Sequence, residues 1–203
     1  LKYYPKKRNL FDVKAMEMSF KDLFIKNEKL ALSDVRFETP EVVIFTTSEK
    51  SKEKKKSFTY NVDLGNVLLN NAKISILKSV NQPLFSVENL TMNISRLVMN
   101  DETAKGNIPF KYENFEIKGK NINYNSDHEI IKASSISLQP RSADLQLISV
   151  KPRGNRAQKT SLNLEVQRVQ LQINDWEFID NKLKLNVQKL FVHELNGTVK
   201  TPD

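Results

Sequence analysis

The chain of 203 residues has no cysteine and little glycine, and both absences restrict its chemistry. Without cysteine it has neither disulfides nor thiolate metal sites, but many proteins outside the cytoplasm also lack cysteine, so the compartment stays open. The five glycines are scattered along the chain and leave no phosphate-cradling loop and no dinucleotide fingerprint. Nucleotide chemistry is therefore not expected.

Long hydrophobic runs are also missing. The longest wholly aliphatic and aromatic run is Val42 to Phe45, far short of the roughly 20 residues that a membrane-spanning helix needs. The chain opens at Leu1 in a strand-like stretch without a signal sequence and closes on a loop-like segment. We therefore interpret residues 1–203 as one domain of a longer protein, large enough to bury a substantial core.

The net charge of +8 is concentrated in three basic clusters between strand candidates. They are Lys6 to Arg8, Lys50 to Lys56, and Lys151 to Lys159. A groove for single-stranded nucleic acid would mix aromatic and basic residues on one face, and these clusters contain no aromatic residue. We expect solvated linkers or lipid-headgroup contacts and no nucleic-acid partner. The candidate rim residues for headgroups are Lys54, Lys55, Lys56, Arg153 and Arg156.

A short pattern, apolar-x-apolar-x-x-apolar-x-apolar, recurs eight times and carries the fold prediction. Alternation at period two indicates a strand, because successive side chains point to opposite faces of a sheet. The eight copies are Phe11, Val13, Met16, Met18; Leu30, Leu32, Val35, Phe37; Val62, Leu64, Val67, Leu69; Phe85, Val87, Leu90, Met92; Phe110, Tyr112, Phe115, Ile117; Ile131, Ala133, Ile136, Leu138; Leu164, Val166, Val169, Leu171; and Leu185, Val187, Leu190, Val192.

The two-residue gap inside each copy has two explanations. A β-bulge would bend the strand and return the second apolar pair to the same face of the sheet. Repeated in strand after strand, such bulges would curve the sheet. Alternatively, each strand changes face or breaks into two short strands at a sandwich corner. The sequence leaves both explanations open.

The eight copies also fall into two halves of about 100 residues. Copies that begin at residues 11, 30, 62 and 85 correspond to copies that begin at 110, 131, 164 and 185. In each half the second copy is followed by a proline, Pro40 or Pro140, then by an additional apolar strand and a basic linker. We predict an internal duplication, about 1–100 and 101–203.

Helix signals are weak, and the best is Ser19 to Lys26, where Ser19 could cap one or two turns. The predicted fold is all-β: a single curved, twisted, mostly antiparallel sheet of repeated bulged strands that forms an open trough, with at most one or two short helical turns. A sheet with one apolar face must bury that face. It could fold over as a sandwich, close as a barrel, or remain a trough covered by ligand.

Candidate catalytic residues are few. His128 and His193 lie far apart and lack metal-ligand spacing. The stretch Ser126 to His128 contains the residue types of a hydrolase triad, but adjacent residues do not converge as nucleophile, base and orienting group, and we predict a turn. Asp101 and Glu102 also resemble a turn, and we expect Trp176 to pack on strand neighbours. No enzyme activity, metal or cofactor is expected.

Three stretches of the repeat carry a family resemblance: Leu30 to Ile44, Asn70 to Ile76, and Pro83 to Ile94. In order and residue type they resemble the recurring units of AsmA-like and TamB-like proteins, whose architecture is related to bridge-like lipid transfer proteins. The resemblance implies a repeating β-groove in the periplasm of a Gram-negative envelope, attached to the inner membrane through a segment that this chain lacks. It further implies phospholipid or another acyl lipid as the partner, and envelope proteins as additional partners.

The resulting hypothesis is a non-enzymatic lipid conduit that carries acyl chains along an apolar β-groove between membranes. The alternative is a β-sandwich or β-solenoid module of a surface or adhesion protein, in which the apolar face is a closed core. The predicted groove lining is Val13, Met16, Met18, Leu32, Val35, Phe37, Val62, Leu64, Val67, Leu69, Val87, Leu90, Met92, Phe110, Tyr112, Phe115, Ile117, Ile136, Leu138, Leu164, Val166, Val169, Leu171, Leu185, Val187, Leu190 and Val192.

Overall fold

The structure, a computed structural model, describes residues 10–45, 61–79, 82–105, 110–153, 161–179 and 182–201. Nearly all of these residues are in strands, which form one large, open, curved sheet of twelve strands. The predicted all-β fold with a single sheet is therefore confirmed. The sheet is mixed, because two of its pairings are parallel.

The strands differ greatly in length, from three residues to nineteen. Their bounds are β1 Leu10–Lys14, β2 Glu17–Lys21, β3 Phe24–Lys26, β4 Lys29–Glu38, β5 Glu41–Phe45, β6 Asn61–Ser79, β7 Gln82–Met99, β8 Asn114–Asn125, β9 Glu129–Gln139, β10 Ser142–Pro152, β11 Ser161–Ile179 and β12 Lys182–Lys200, with a single 3₁₀ turn at Thr103–Lys105.

Neighbouring strands pair mainly in sequence order. From β6 to β12 each strand pairs antiparallel with the next. Strands β4 and β5 lie end to end along β6 and pair with it in parallel, while β2 and β3 pair with β4 and β1 pairs with β5. One edge of the described sheet is therefore the series β1, β2 and β3, and the other is β12.

The predicted helical turn at Ser19 to Lys26 is wrong, because this segment forms the end of β2 and all of β3. Phe20 lies opposite Val35 and Ile25 lies opposite Leu30 on β4. Pairing with β4 supplies the backbone hydrogen bonds that a short helix would otherwise make, so the weak cap at Ser19 does not decide the conformation.

The gaps in the apolar repeat coincide with irregular backbone positions that line up across the sheet. Five strands and the β4–β5 junction each have a residue with positive φ, and the cross-strand register places these six residues in one line across the sheet. We call this line the first crease, and we call positions on the same transverse line positions at the same height. The register is the same on both sides of it, as the pairs Leu69↔Met92 and Ile74↔Val87 show. The positive-φ residues of the first crease are Thr39, Asn71, Asn89, Asn121, Leu147 and Glu194.

A second crease crosses the sheet about seven residues from the first. Asp22 and Arg96 have positive φ there. Gly65 of β6 lies between Ser33 of β4 and Arg96 of β7, and the regular pairing of β6 with both strands is interrupted at this residue. On β11 and β12 the same height shows a register shift at residues 173–175. Because irregularities on neighbouring strands match, every strand bends at the same heights and the sheet curves about an axis that runs across the strands.

The creases keep the apolar side chains on one face. Leu64 and Val67, on opposite sides of the second crease, belong to one packed cluster, and so do Ile94 and Leu97. Leu69 and Ala72, on opposite sides of the first crease, also pack together. The apolar pairs on the two sides of each gap therefore stay on one face, as the bulge explanation predicted, but the extra residue is matched on the neighbouring strand and the register is unchanged beyond it.

This apolar face lies on the inside of the curve. All ten buried hydrophobic residues are on it, although no second layer of the described residues covers them. Side chains on a concave face converge and shield one another, which explains the complete burial of Ala72 in a single-layer sheet. The two predicted halves differ in topology, since Pro40 joins two collinear strands and Pro140 lies in the turn of the β9–β10 hairpin.

Candidate functional site

The candidate site is the apolar face, which we call the trough. The cross-strand register places apolar residues in continuous transverse rows. One such row runs from β5 to β12, and all of its members are uncharged. The members of that row are Val42, Ile74, Val87, Ile122, Ala133, Ile148, Val166 and Leu195.

The structure brings the predicted lining residues together on this face, with Met16 as the exception. Met16 lies at the first crease opposite Thr39, and its side chain is 82% exposed. Ala15, opposite the buried Pro40, continues the row in its place. The gap in this copy is therefore displaced by two residues relative to the prediction, because register with β4 and β5 decides which residue occupies the crease.

Sequence reasoning missed part of the lining. Strand β5 and most of β10 face the trough, and so do small residues between larger ones. The missed residues alternate at period two like the predicted ones. The sequence does not show which of the two alternating sets faces the trough, because that depends on the register with the neighbouring strand. The missed residues include Ala15, Val42, Ile44, Ala72, Ile74, Ile94, Leu97, Gly119, Ile122, Ala133, Ala143, Leu145 and Ile148.

Small residues occupy the most crowded part of the trough. A Cβ atom at Gly119 would lie 2.7 Å from Val87 Cγ2, 3.3 Å from Leu90 Cδ1 and 3.6 Å from Ile136 Cγ2. The glycine therefore makes room for three neighbouring side chains that converge over it. Shape complementarity of this kind fixes the curvature of the floor.

An aromatic cluster lies beyond the end of the β9–β10 hairpin. This hairpin turns at Pro140, near the second crease, so beyond it no strand lies between β8 and β11 among the described residues. The aromatic side chains fill this gap in the sheet. The Trp176 ring of β11 packs on Tyr112 and Phe115, with centroid distances of 6.4 Å and 5.4 Å. Burial there raises the pKa of Tyr112. Trp176 therefore packs on aromatic residues of β8 and of the segment before it, which do not pair with β11 among the described residues.

The opposite face carries charged and amide side chains in cross-strand pairs. Asp144 accepts hydrogen bonds from Arg168 Nε at 3.0 Å and Nη2 at 2.5 Å, and from Gln170. The Arg168 guanidinium holds the pKa of Asp144 below its usual value. Glu88 accepts from Asn121 and lies near Lys73. The sheet is therefore two-sided, with apolar side chains on one face and charged or amide side chains on the other.

Of the predicted rim residues, Lys54, Lys55, Lys56 and Arg156 lie outside the described residues. Arg153 is described, and it follows β10 beside the β8–β9 turn. Its Nη1 donates to the carbonyl oxygen of Ser126 at 3.2 Å, and its backbone N–H donates to the carbonyl of His128. Arg153 therefore stands at one rim of the sheet with an exposed side chain.

The stretch Ser126 to His128 is the β8–β9 turn, as predicted. Ser126 Oγ accepts from the backbone N–H groups of His128 and Glu129, so the hydroxyl stabilises the turn. Lys78 lowers the pKa of Asp127 from outside the turn, at an Nζ–Oδ1 distance of 2.7 Å. Asp101 and Glu102 also lie in a turn.

Within the described ranges, no three His, Asp or Glu side chains are grouped as metal ligands. The same residues include no helix with the length and apolar character needed to traverse a bilayer. Surface depressions on the polar face near the first crease are shallow and lined by mixed residues such as Ser149, Glu165 and Gln167. The trough is therefore the strongest candidate site.

No protein-family model, curated protein or solved structure matches this chain. The resemblance to AsmA-like and TamB-like proteins accordingly stays a prediction.

Proposed function

We propose that this chain is a non-enzymatic lipid-binding segment whose trough holds the acyl chains of phospholipids and conducts them along the sheet. One observation carries the proposal: rows of apolar side chains span one face of the sheet from edge to edge, and none of the described residues forms a second layer over them. Exposed apolar area of this extent is unusual in monomeric proteins and indicates a ligand or partner.

The direction of the trough suits a conduit. Each strand contributes about 4.8 Å to the sheet in the direction of the creases, and the apolar rows continue from strand to strand in that direction. An acyl chain that lies along a row would remain in apolar contact as it moves. Each methylene transferred from water contributes about 0.8 kcal/mol, so a chain of about fifteen methylenes gains on the order of 12 kcal/mol before entropic costs.

The alternative function, a surface or adhesion module with a closed core, requires a second sheet packed on the first. The described residues form one sheet, and they leave the trough uncovered. The cellular setting of the proposal, a periplasmic conduit held at the inner membrane with other envelope proteins, rests on the family resemblance alone. The basic residue Arg153 would contact anionic headgroups at the rim in this arrangement.

Two neighbouring positions on β9 test the proposal. Ile136 lines the trough, and Ser135 lies on the polar face opposite Lys120. We expect Ile136→Glu to reduce binding of a fluorescent phospholipid at least tenfold, because a carboxylate among acyl chains is desolvated. Ser135→Glu introduces the same charge and should bind like the unmodified chain.

A bulky variant separates blocking from unfolding. Ile136→Trp keeps the position apolar but fills the trough, so it should lower lipid binding while the circular dichroism spectrum stays unchanged. Native mass spectrometry of protein purified without detergent should show bound phospholipid. A folded chain that carries no lipid and does not bind the fluorescent probe at micromolar concentrations would refute the proposal.

A further inference from the structure

The edge strand β12 is long and uncharged on its trough-facing side, although it carries lysines on its polar side and a register shift near Gln188. It is nineteen residues long, pairs with β11 on one side, and has no other partner among the described residues. Natural edge strands are kept short, or they carry proline, bulges or charges that point inward. β12 contains no proline, and its described trough-facing side chains are uncharged: Leu185, Val187, Leu190, Val192, Leu195 and Val199.

The trough-facing side chains of this edge are exposed. Leu190 is 58% exposed, whereas Leu171, its partner on β11 in the same row, is partly buried. At the other edge, Met18 and Phe20 of β2 are 54% and 50% exposed. Both edges therefore present trough-facing apolar side chains that an additional strand would cover.

The two edges have matching shapes. Crease positions on β12 lie at Gln188 and Glu194, and those on the β1–β3 edge lie near Met16 and at Asp22. The spacing is therefore nearly the same on both edges. β12 also runs opposite to β1, β2 and β3, so a copy of the sheet placed beside β12 would present an antiparallel strand.

We propose that β12 pairs with the β1–β3 edge of a second copy of this chain, head to tail. In one antiparallel register, both creases of β12 align with those of the β1–β3 edge of the second copy. The same register places each described trough-facing residue of β12 opposite an apolar residue of that edge, including Gly197 opposite Val13. Same-face residues of antiparallel strands also match in hydrogen-bonding direction. The resulting cross-copy pairs are Leu185 with Ile25, Val187 with Leu23, Leu190 with Phe20, Val192 with Met18, Leu195 with Ala15, and Gly197 with Val13.

The pairing is heterologous, since it joins two different edges, so each added copy leaves a free edge of each kind. The copies therefore form an open series in which the trough continues from copy to copy. On the polar face the same register places Lys21 opposite Lys189 and Lys26 opposite Lys184. Association should therefore strengthen as salt concentration rises, because screening weakens these repulsions. The proposal concerns the sheet edges and does not require lipid binding.

Disulfide cross-linking tests the register directly, because the chain has no native cysteine. A Val192→Cys copy mixed with a Met18→Cys copy should form a cross-linked heterodimer under mild oxidation. A Val192→Cys copy mixed with an Ile25→Cys copy is the matched control. Its cysteines would be seven residues apart, about 23 Å along the strand, so its yield should be at least tenfold lower.

Blocked edges test the head-to-tail arrangement in sedimentation experiments. Val187→Lys with Val192→Lys places charges on the β12 edge, and Met18→Lys with Phe20→Lys places them on the other edge. Each double variant should be monomeric alone, and the two together should form only 1:1 dimers. Circular dichroism confirms that both are folded.

Three results would overturn the proposal: a monomeric unmodified chain at all concentrations, equal cross-linking yields in and out of register, or efficient homodimers of the Val192→Cys copy alone. The last result would indicate symmetric pairing of two β12 edges.

Discussion

The second crease depends on a glycine, and replacing that glycine tests the packing argument most directly. A Cβ atom at Gly65 would lie 2.3 Å from the backbone carbonyl oxygen of Ser33 and 3.1 Å from its carbonyl carbon. The neighbour is backbone within the paired strands β4 and β6, so it cannot move by a side-chain rotation. Gly65→Ala must therefore separate the two strands locally by several tenths of an ångström.

The expected cost follows from these contacts. Overpacking of a rigid site costs about 1–3 kcal/mol, and the lower chain entropy of unfolded alanine offsets about 0.4–1 kcal/mol of it. We expect Gly65→Ala to lower the free energy of unfolding by about 1–2 kcal/mol. Gly119→Ala is the comparison variant, because its closest contact at 2.7 Å is the Val87 side chain and not backbone. It should also destabilise the fold, but by less than Gly65→Ala, because a side chain adjusts at lower cost than paired backbone.

Urea unfolding followed by fluorescence measures both variants, since Trp176 is the single tryptophan of the chain. The slope of free energy against urea concentration should stay unchanged, so that a shifted midpoint reports stability. The reasoning would fail if Gly65→Ala were as stable as the unmodified chain, or if Gly119→Ala lost more stability than Gly65→Ala.

Three further predictions concern other parts of the sheet. Asp144 has a lowered pKa in the folded chain, so its pairing with Arg168 stabilises the fold above the unfolded-state pKa, near 4, and this stabilisation is lost as pH falls through the lowered value. The free energy of unfolding from urea titrations between pH 6 and pH 2 should therefore fall less in Asp144→Asn than in the unmodified chain. Leu147 is 62% exposed at a φ of 48°, so Leu147→Gly should be about 1 kcal/mol more stable than Leu147→Ala, and equal urea midpoints would contradict this. Trp176→Ala removes the ring that packs on Tyr112 and Phe115 and should cost about 2–3 kcal/mol, whereas Trp176→Phe should cost less than half of that in circular-dichroism melts.

The apolar repeat predicted the strands well, because each copy alternates at period two and its gap marks a crease. Seven of the eight copies lie mainly in strands, the copy that begins at Phe110 is half in β8, and the additional apolar stretches after Pro40 and Pro140 form β5 and part of β10. The copy around Met16 shows the limit of this reasoning. A gap of two residues can be placed in more than one way, and only register with Thr39 and Pro40 decided that Ala15 lines the trough.

The two prolines show a second limit. They occupy corresponding places in the predicted halves, but Pro40 joins the collinear strands β4 and β5 at the first crease, and Pro140 lies in a tight turn near the second crease. A proline restricts its own backbone and that of the residue before it, but it does not fix which strand the following segment joins. The parallel pairing of β4 and β5 with β6 therefore had no local signal.

The sequence by itself determined the local quantities: strand conformation, the single apolar face, and most of the positions where strands bend. These local features follow from the alternation of apolar and polar side chains, a pattern that involves only a few neighbouring residues. Only the tertiary structure decided the order of strands, the alignment of bends into two creases, and the open trough. Those features depend on hydrogen bonds and packing between segments far apart in the chain, which no local pattern specifies.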